Sequence, residues 1–330
     1  MSASIAKAEL LEDRGEAAAD DHFFRSRPFL DAEGVTHTLR IETGEDELLA
    51  PLIVREIPGS GERDAVSPYG YPGCVEGSRG GARRSLPAVA SPSTPPAPPN
   101  FDPDKTDFSA TGLVSVFIRH VLGPAPLAGT TERNVVQVAD PALPTKSRPS
   151  DRRQVRRNLE AGYTVDLIPG TETTADQRAG FFAAYEQTMR RATAAAHYFF
   201  GAAYFDRILE ADRTWLALAT APSGEPAAAS IAAVSDGYLH YYLSGSTDSH
   251  LGDSPMKNVV SQLVEHSAAL GLPLNLGGGI RAGDALEEFK RGFANRRQPW
   301  FTSELVCDEE RYAELCAGRD AAGFFPAYRG

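Results

Sequence analysis

The stretch from Leu274 to Phe293 gathers most of the residues in this chain that could do chemistry. A short apolar run, Leu274-Asn275-Leu276, ends in Gly277-Gly278-Gly279. Glycines there let the backbone approach another group closely or take positive φ. Asp284 then stands where a helix cap belongs, with Glu287 three residues on. In the helix expected from Ala285 to Phe293, Leu286, Phe289, Lys290 and Phe293 fall at i, i+3, i+4 and i+7, an inward stripe. Glu287, Glu288 and Arg291 take the other face. Lys290 is therefore an ammonium among apolar positions. Burying it costs several kcal/mol unless it is paired or faces a wet cleft. One reading is a cation aimed at charge that develops during a reaction. The other is a lysine whose stem packs while its head reaches solvent. The glycine loop lacks GxGxxG or P-loop spacing, so it is a weak nucleotide signal.

A second cluster is purely basic. Lys146, Arg148, Arg152, Arg153, Arg156 and Arg157 stand against one nearby acid, Asp151, before Glu160. The four arginines from Arg152 to Arg157 share one face of a helix that Gly162 closes. That face either contacts phosphates of a nucleic acid or is a solvated surface paired with the chain's many acids.

Other chemistries find no support in the pattern. Cys74, Cys307 and Cys316 are far apart, without CxxC spacing or a nucleophile elbow. The histidines show no HExxH or similar spacing, so no metal is expected. His240 alternates with Tyr241 on an expected strand and reads as a core or surface residue. Amide formation by an amine attacking an activated ester needs positioning and oxyanion stabilisation rather than a covalent nucleophile. An acyl-CoA donor would place its pyrophosphate at a glycine turn before a helix. The matching turn, His250 to Pro255, lacks the usual spacing and puts Asp253 where the phosphates would lie.

The elements that must position these groups follow from length and patterning. The chain has 330 residues, enough for two domains, and its net charge of −11 argues against a surface coated for non-specific nucleic-acid binding while leaving room for a local basic patch. No apolar run reaches the ~20 residues that span a bilayer. Residues 1–21 read as a helical or frayed acidic lead-in without the apolar core of a signal peptide, and the few cysteines fit the cytoplasm. His37–Ile41 and Leu48–Val54 read as strands, and Ser67-Pro68-Tyr69-Gly70-Tyr71-Pro72-Gly73 as a fixed loop presenting tyrosine rings. Residues 87–103 are a proline-rich extended connection, Thr111–Leu122 an amphipathic segment and Asn134–Val138 a buried strand. The second half reads as helices Ala175–Thr193 and Tyr198–Glu210, then strands Trp215–Ala219, Ala227–Val234 and Tyr238–Ser244. Helix Met256–Leu270, the strand at Leu274 and the Lys290 helix complete it. The fold class is α+β with a mixed sheet.

The glycine triplet, the acidic cap and Phe289-Lys290-Arg291-Gly292-Phe293 resemble the terminal motif of the Fem-type aminoacyltransferases, the peptidoglycan-bridge or FemABX-like family. So do the strand Tyr241-Tyr242-Leu243-Ser244-Gly245-Ser246, the basic helix, the segment from Phe182 to Phe205 and the Ser67–Gly73 loop. The likeness covers most of residues 23–300. It implies two GNAT-like acyltransferase domains, each a mixed, mainly antiparallel sheet flanked by helices, with a cleft between them. The boundaries expected are 22–150, completed by 301–330, and 151–300.

The implied activity is amide formation from aminoacyl-tRNA, with no cofactor, in a protein expected to be a monomer. The acceptor expected is the amine of a small-molecule or antibiotic-type intermediate. A peptidoglycan precursor, or an acyl-CoA-dependent N-acyltransferase, is the alternative. On this resemblance Lys290 steadies the tetrahedral intermediate, and Tyr241 and Tyr242 line the same cleft. Phe289, Tyr69, Tyr71, Arg190, Arg191, Tyr198, Gly277 and Gly278 hold substrate, and Arg152, Arg153, Arg156 and Arg157 hold the tRNA. Arg25 and Arg27 are the candidates for a first-domain cation that grips acceptor phosphates. No heptad-patterned arm interrupts the second half.

Overall fold

The computed structural model describes residues 5–13, 22–78, 84–85, 101–123, 125–319 and 323–330. Most of the proline-rich stretch 87–103 lies outside the described residues, as do residues 14–21 of the N-terminal lead-in. The chain forms two compact units. One comprises Met1–Ala17, Glu33–Arg133 and Pro299–Gly330; the other comprises Ala18–Ala32 and Asn134–Gln298. The division thus falls at Arg133 rather than at 150. Residues 137–139 pair with the strand Leu274–Gly277 and so belong with the second unit. Residues 22–32 also join it, burying Phe23, Phe24 and Phe29 there.

In the first unit, strand His37–Thr43 pairs antiparallel with Ala6–Leu11 on one side and Asp46–Glu56 on the other. The Ala6–Leu11 strand corrects the expectation of a helical or frayed lead-in. Ala6 and Ala8 alternate inward against the neighbouring strand, and this cross-strand packing overrides a composition that favours helix. The amphipathic segment 111–122 is likewise a strand, Ser115–Arg119, with Val116 and Ile118 facing the core. It runs parallel to Arg63–Val66 and antiparallel to residues 302–306.

The Ser67–Gly73 loop is pinned at both ends to this strand. Ser67 N–H donates to Phe117 O (2.8 Å), Gly73 N–H to Arg119 O (3.0 Å), and Arg119 N–H to Ser67 Oγ (2.8 Å). Residues 327–330 close against buried Asp64, which accepts from Arg329 and Tyr328.

The second unit is a mixed sheet. Strands Thr164–Pro169, Thr214–Thr220, Pro226–Ser235 and Tyr238–Ser246 follow one another antiparallel. Tyr238–Ser246 then runs parallel to Leu274–Gly277 through only two pairs, Leu239 with Leu274 and His240 with Asn275. The meander expected from the tight turns is present, with Asp236 and Gly237 both at positive φ. Helix Met256–Leu270 buries Val259, Val260 and Leu263 in a cluster with Ala217, Ala228, Ala232 and Leu239.

Helix Ala175–Arg191 approaches the tyrosine strand at Gly245, where a Cβ would stand 2.4 Å from Ala184. The second expected helix of this pair is shorter than 198–210. It spans Ala202–Ile208, because Gly201 at its N-cap breaks it from the 3-10 turn Ala196–Tyr198. No helix among the described residues is long and apolar enough to cross a membrane.

Candidate active site around Lys290

The Lys290 helix runs from Ala285 to Arg291 and starts as its residues predict. Asp284 Oδ1 accepts from Glu287 N–H (2.8 Å), while Oδ2 accepts from Ile280 N–H (2.7 Å) and Arg281 N–H (2.9 Å). The inward stripe differs by one residue from the expected set. Leu286 is exposed, and Glu287 is buried in its place. The Glu287 carboxylate has work inside: it accepts from Gly283 N–H (2.7 Å) and from Gln137 Nε2 (3.4 Å).

Lys290 itself is 8% exposed. Its Nζ donates to Gly278 O at 2.7 Å, and no carboxylate among the described residues lies within ion-pairing distance. Loss of solvation pushes the Lys290 pKa down to about 8, with Asp284 favouring the charged form. An ammonium has three N–H donors, so most of its hydrogen-bonding capacity is uncommitted.

Glycine is required where the loop meets the lysine. Gly277 has φ +76°, and a Cβ on Gly278 would stand 2.4 Å from the Asn134 side chain. Asn134 Nδ2 in turn donates to Gly279 O (2.9 Å). Phe289 is half-buried with its ring 5.7 Å from Phe293. Lys290 and the Gly277-Gly278 turn therefore come together, while Phe289 packs against the cluster built on helix Met256–Leu270.

The two tyrosines do not share a surface, which corrects the expectation that both line one cleft. Tyr241 packs with the cluster built on helix Met256–Leu270 and donates to Ser244 Oγ (2.6 Å); burial pushes its pKa up to about 12. Tyr242 meets Phe23, Phe24 and Phe29, its hydroxyl 2.8 Å from that of Tyr204. Consecutive strand residues point to opposite faces, and the bulge opposite Ile231 and Ala232 does not bring these two to one side.

Tyr69 and Tyr71 belong to the first unit. Tyr69 N–H donates to the Glu33 carboxylate (2.8 Å), and the Tyr71 ring meets Trp300 edge-on at 5.5 Å. Arg190 pairs with Glu186 and Arg191 with Asp248. Tyr198 O accepts from Tyr185 OH (2.6 Å), and its ring lies 4.1 Å from His197.

Arg25 cannot grip a substrate phosphate. It is 1% exposed and donates to Asp236 (2.6 Å), and this cation with His22 holds the Asp236 carboxyl down near 2 against the cost of its burial. Arg27 is exposed.

The basic helix, Pro149–Glu160, docks through its polar residues rather than its arginines. Asn158 Nδ2 donates to Asp253 O (2.8 Å) and Asn258 Oδ1 (2.7 Å), and Asp151 pairs with Lys257 (2.9 Å). Arg148, at its N-cap, ties it to the Lys290 helix through Glu288 (2.6 Å) and through Gly292 O (3.2 Å). Arg152, Arg153, Arg156 and Arg157 are left facing solvent. A shallow groove of about 400 Å³ runs along Ser150, Arg153, Gln154, Arg156, Arg157 and Glu160.

At the start of helix Met256–Leu270 the polar groups are already taken. Asp253 Oδ2 accepts from Tyr163 OH (2.7 Å), Ser254 has φ +50°, and Pro255 at the cap has no N–H.

Neither the part played by Asn275 nor the pairing of Arg25 with Asp236 followed from the sequence. Asn275 carried a signal, a polar residue between two leucines of a buried strand. The arginine pair joins residues 211 apart and carried none.

Residues 145–291 match the acetyltransferase (GNAT) domain family. The fold is similar to that of FemX, with a TM-score of 0.55 at 10% identity, covering 84% of this chain and 90% of FemX. It is also similar to a protein from Agrobacterium fabrum described as the C-terminal domain of a lysylphosphatidylglycerol synthetase. The TM-score there is 0.50 at 11% identity, covering 88% of this chain and 89% of that one. No curated protein sequence matches the chain. The mixed, mainly antiparallel sheet with its helices and these likenesses agree: the chain has the Fem-like GNAT fold.

Proposed function

We propose that the Lys290 site forms an amide bond by moving an amino acid from aminoacyl-tRNA to the amine of a small-molecule, antibiotic-type intermediate. The observation that carries this reading is the ammonium of Lys290, buried and held by a single neutral carbonyl. The amine attacks the ester carbonyl, and the carbonyl oxygen becomes an oxyanion. Free N–H donors of Lys290 stabilise that charge as it forms, in a setting where water competes little. Collapse of the intermediate breaks the ester C–O bond, and the proton lost by the attacking amine is delivered through solvent to the departing ribose oxygen, which leaves as a hydroxyl. No covalent enzyme intermediate is needed.

The donor assignment draws on the basic helix. Its outward arginines suit a phosphate backbone, and its fastening to the Lys290 helix keeps that surface at a constant position relative to the ammonium. The start of helix Met256–Leu270 favours tRNA over CoA, since a carboxylate and a proline stand where a pyrophosphate needs N–H groups. Arg25 is committed to Asp236, so of the two cations expected to grip acceptor phosphates only Arg27 faces solvent; the acceptor is read as an amine without phosphates.

The test is amide formation by purified protein from charged tRNA and a panel of amines, with RNase-treated and acyl-CoA controls. RNase-sensitive product is expected, with a loss of about a hundredfold in Lys290→Met, the scale of one oxyanion donor. Product from acyl-CoA without tRNA would refute the donor. An undiminished rate in Lys290→Met would refute the role of the lysine.

A further inference from the structure

Asn275 sits on the last rung that the tyrosine strand and the glycine strand share. His240 and Asn275 form that rung, and they are 2% and 1% exposed. The Asn275 amide works in both directions: Nδ2 lies 3.1 Å from His240 Nδ1, and Oδ1 accepts from Gly277 N–H at 2.9 Å. The other ring nitrogen of His240, Nε2, lies 3.1 Å from the Ser235 carbonyl. A carbonyl only accepts, so Nε2 carries the proton and Nδ1 is left to accept from Asn275. Burial keeps this imidazole neutral, its pKa lowered to about 4. The pair is therefore a fixed peg rather than a proton relay.

What the peg holds is the turn beneath the lysine. Pairing with the strand Thr131–Ala139 is irregular between Asn275 and Gly277, so the ladder alone fixes this segment poorly. Gly277, at φ +76°, swings the chain out of the sheet, and the next carbonyl, that of Gly278, accepts from Lys290 Nζ. Asn134 and Asp284 fasten the far side of the loop, at Gly279, Ile280 and Arg281. We infer that Asn275 is a positioning residue: by tying Gly277 to His240 it aims the Gly278 carbonyl, and through it the Lys290 ammonium. The inference adds a residue to the proposed active site and rests on that reading of Lys290.

Only five lysines occur in the chain, so Cε signals from [ε-13C]lysine report the Lys290 titration directly in the folded protein. Asp284 is the charged group that acts on Lys290. Its loop fastenings do not involve Asn275, so its influence stays the same across the variants. In Asn275→Ala the loosened turn admits water, and the Lys290 midpoint should rise from about 8 by about one unit. kcat should fall about tenfold with KM little changed, and Asn275→Ala should cost nothing further in a Lys290→Met background.

Should Asn275→Ala fail to fold, His240→Leu removes the same anchor from the other strand and should displace the same signal. An unmoved Lys290 midpoint in a folded variant overturns the inference, whatever happens to the rate. A moved midpoint together with an undiminished rate in Lys290→Met would leave the positioning intact and sink the proposed chemistry instead.

Discussion

Replacing Lys290 with methionine should make the protein more stable while it removes activity. Burial lowers the lysine pKa from 10.5 to about 8. At 1.36 kcal/mol per unit, holding the charged form in the folded state costs about 3 kcal/mol near neutrality. Methionine has a similar length and no charge to desolvate. It forfeits the bond to Gly278 O, worth about 1 kcal/mol. The desolvation cost is the larger, and a net gain of about 2 kcal/mol remains. For a unit of this size the melting temperature should rise by about 5 °C.

The pH dependence gives a sharper check. Between pH 8 and 10.5 the unfolded lysine holds a proton that the folded one has lost, so the wild type gains stability as pH rises through that window. The advantage of Lys290→Met is therefore full below pH 8, is lost before pH 10.5 and gives way there to a deficit of about 1 kcal/mol from the missing bond to Gly278 O. Thermal unfolding followed by circular dichroism at pH 7 and at pH 10 measures both values. A Lys290→Met protein less stable than wild type at pH 7, or a difference that ignores pH, would show that the ammonium is not held out of water.

The remaining expectations concern other parts of the chain. In steady-state kinetics, kcat/KM should fall on the alkaline side with a midpoint near 8, where Lys290 loses its proton, and this limb should vanish in Lys290→Met; a limb that persists there belongs to another group. Reversing Arg153, Arg156 and Arg157 to glutamate should raise KM for charged tRNA and flatten its salt dependence, by roughly 0.9 in log–log slope for each duplex phosphate that is no longer neutralised; an unaltered slope argues for a merely solvated face. Gly245→Ala should destabilise the protein by about 1–3 kcal/mol, because the added Cβ meets the Ala184 backbone at 2.4 Å; a neutral result in denaturant titration would mean that helix Ala175–Arg191 moves aside freely. Arg25→Ala should cost about 3–5 kcal/mol by leaving the Asp236 carboxylate buried without its cation. In the wild type the stability that this pair supplies is present above the ordinary aspartate pKa and fades as pH falls through about 2; denaturant titrations across that range check both points.

Local signals placed much of the second unit. The Asp284 cap, the bend at Gly162 and the Asp236-Gly237 turn depend on neighbours within a few residues, and each formed where the residue types require it. Lys290 was visible because one charge in a stripe of apolar positions is an anomaly at helical spacing. The strand at Ala6–Leu11 was not visible, because only its partner at 37–43 makes it a strand. Nor was the exchange of Leu286 for Glu287 on the inner face. A carboxylate enters the interior only when donors such as Gly283 N–H and Gln137 wait there, and no periodicity reports them.

By itself, then, the order of amino acids determined an α+β chain carrying a cation where an apolar side chain belongs, together with a separate arginine face, because helix and strand periods and caps are short-range properties. Tertiary structure alone decided which tyrosine lies on which side of the sheet, that Arg25 is spent on Asp236, and that Asn275 and His240 stand behind the glycine turn. Those are matters of register and of contacts between distant residues, where the interior requires each buried polar group to find a partner wherever the fold supplies one.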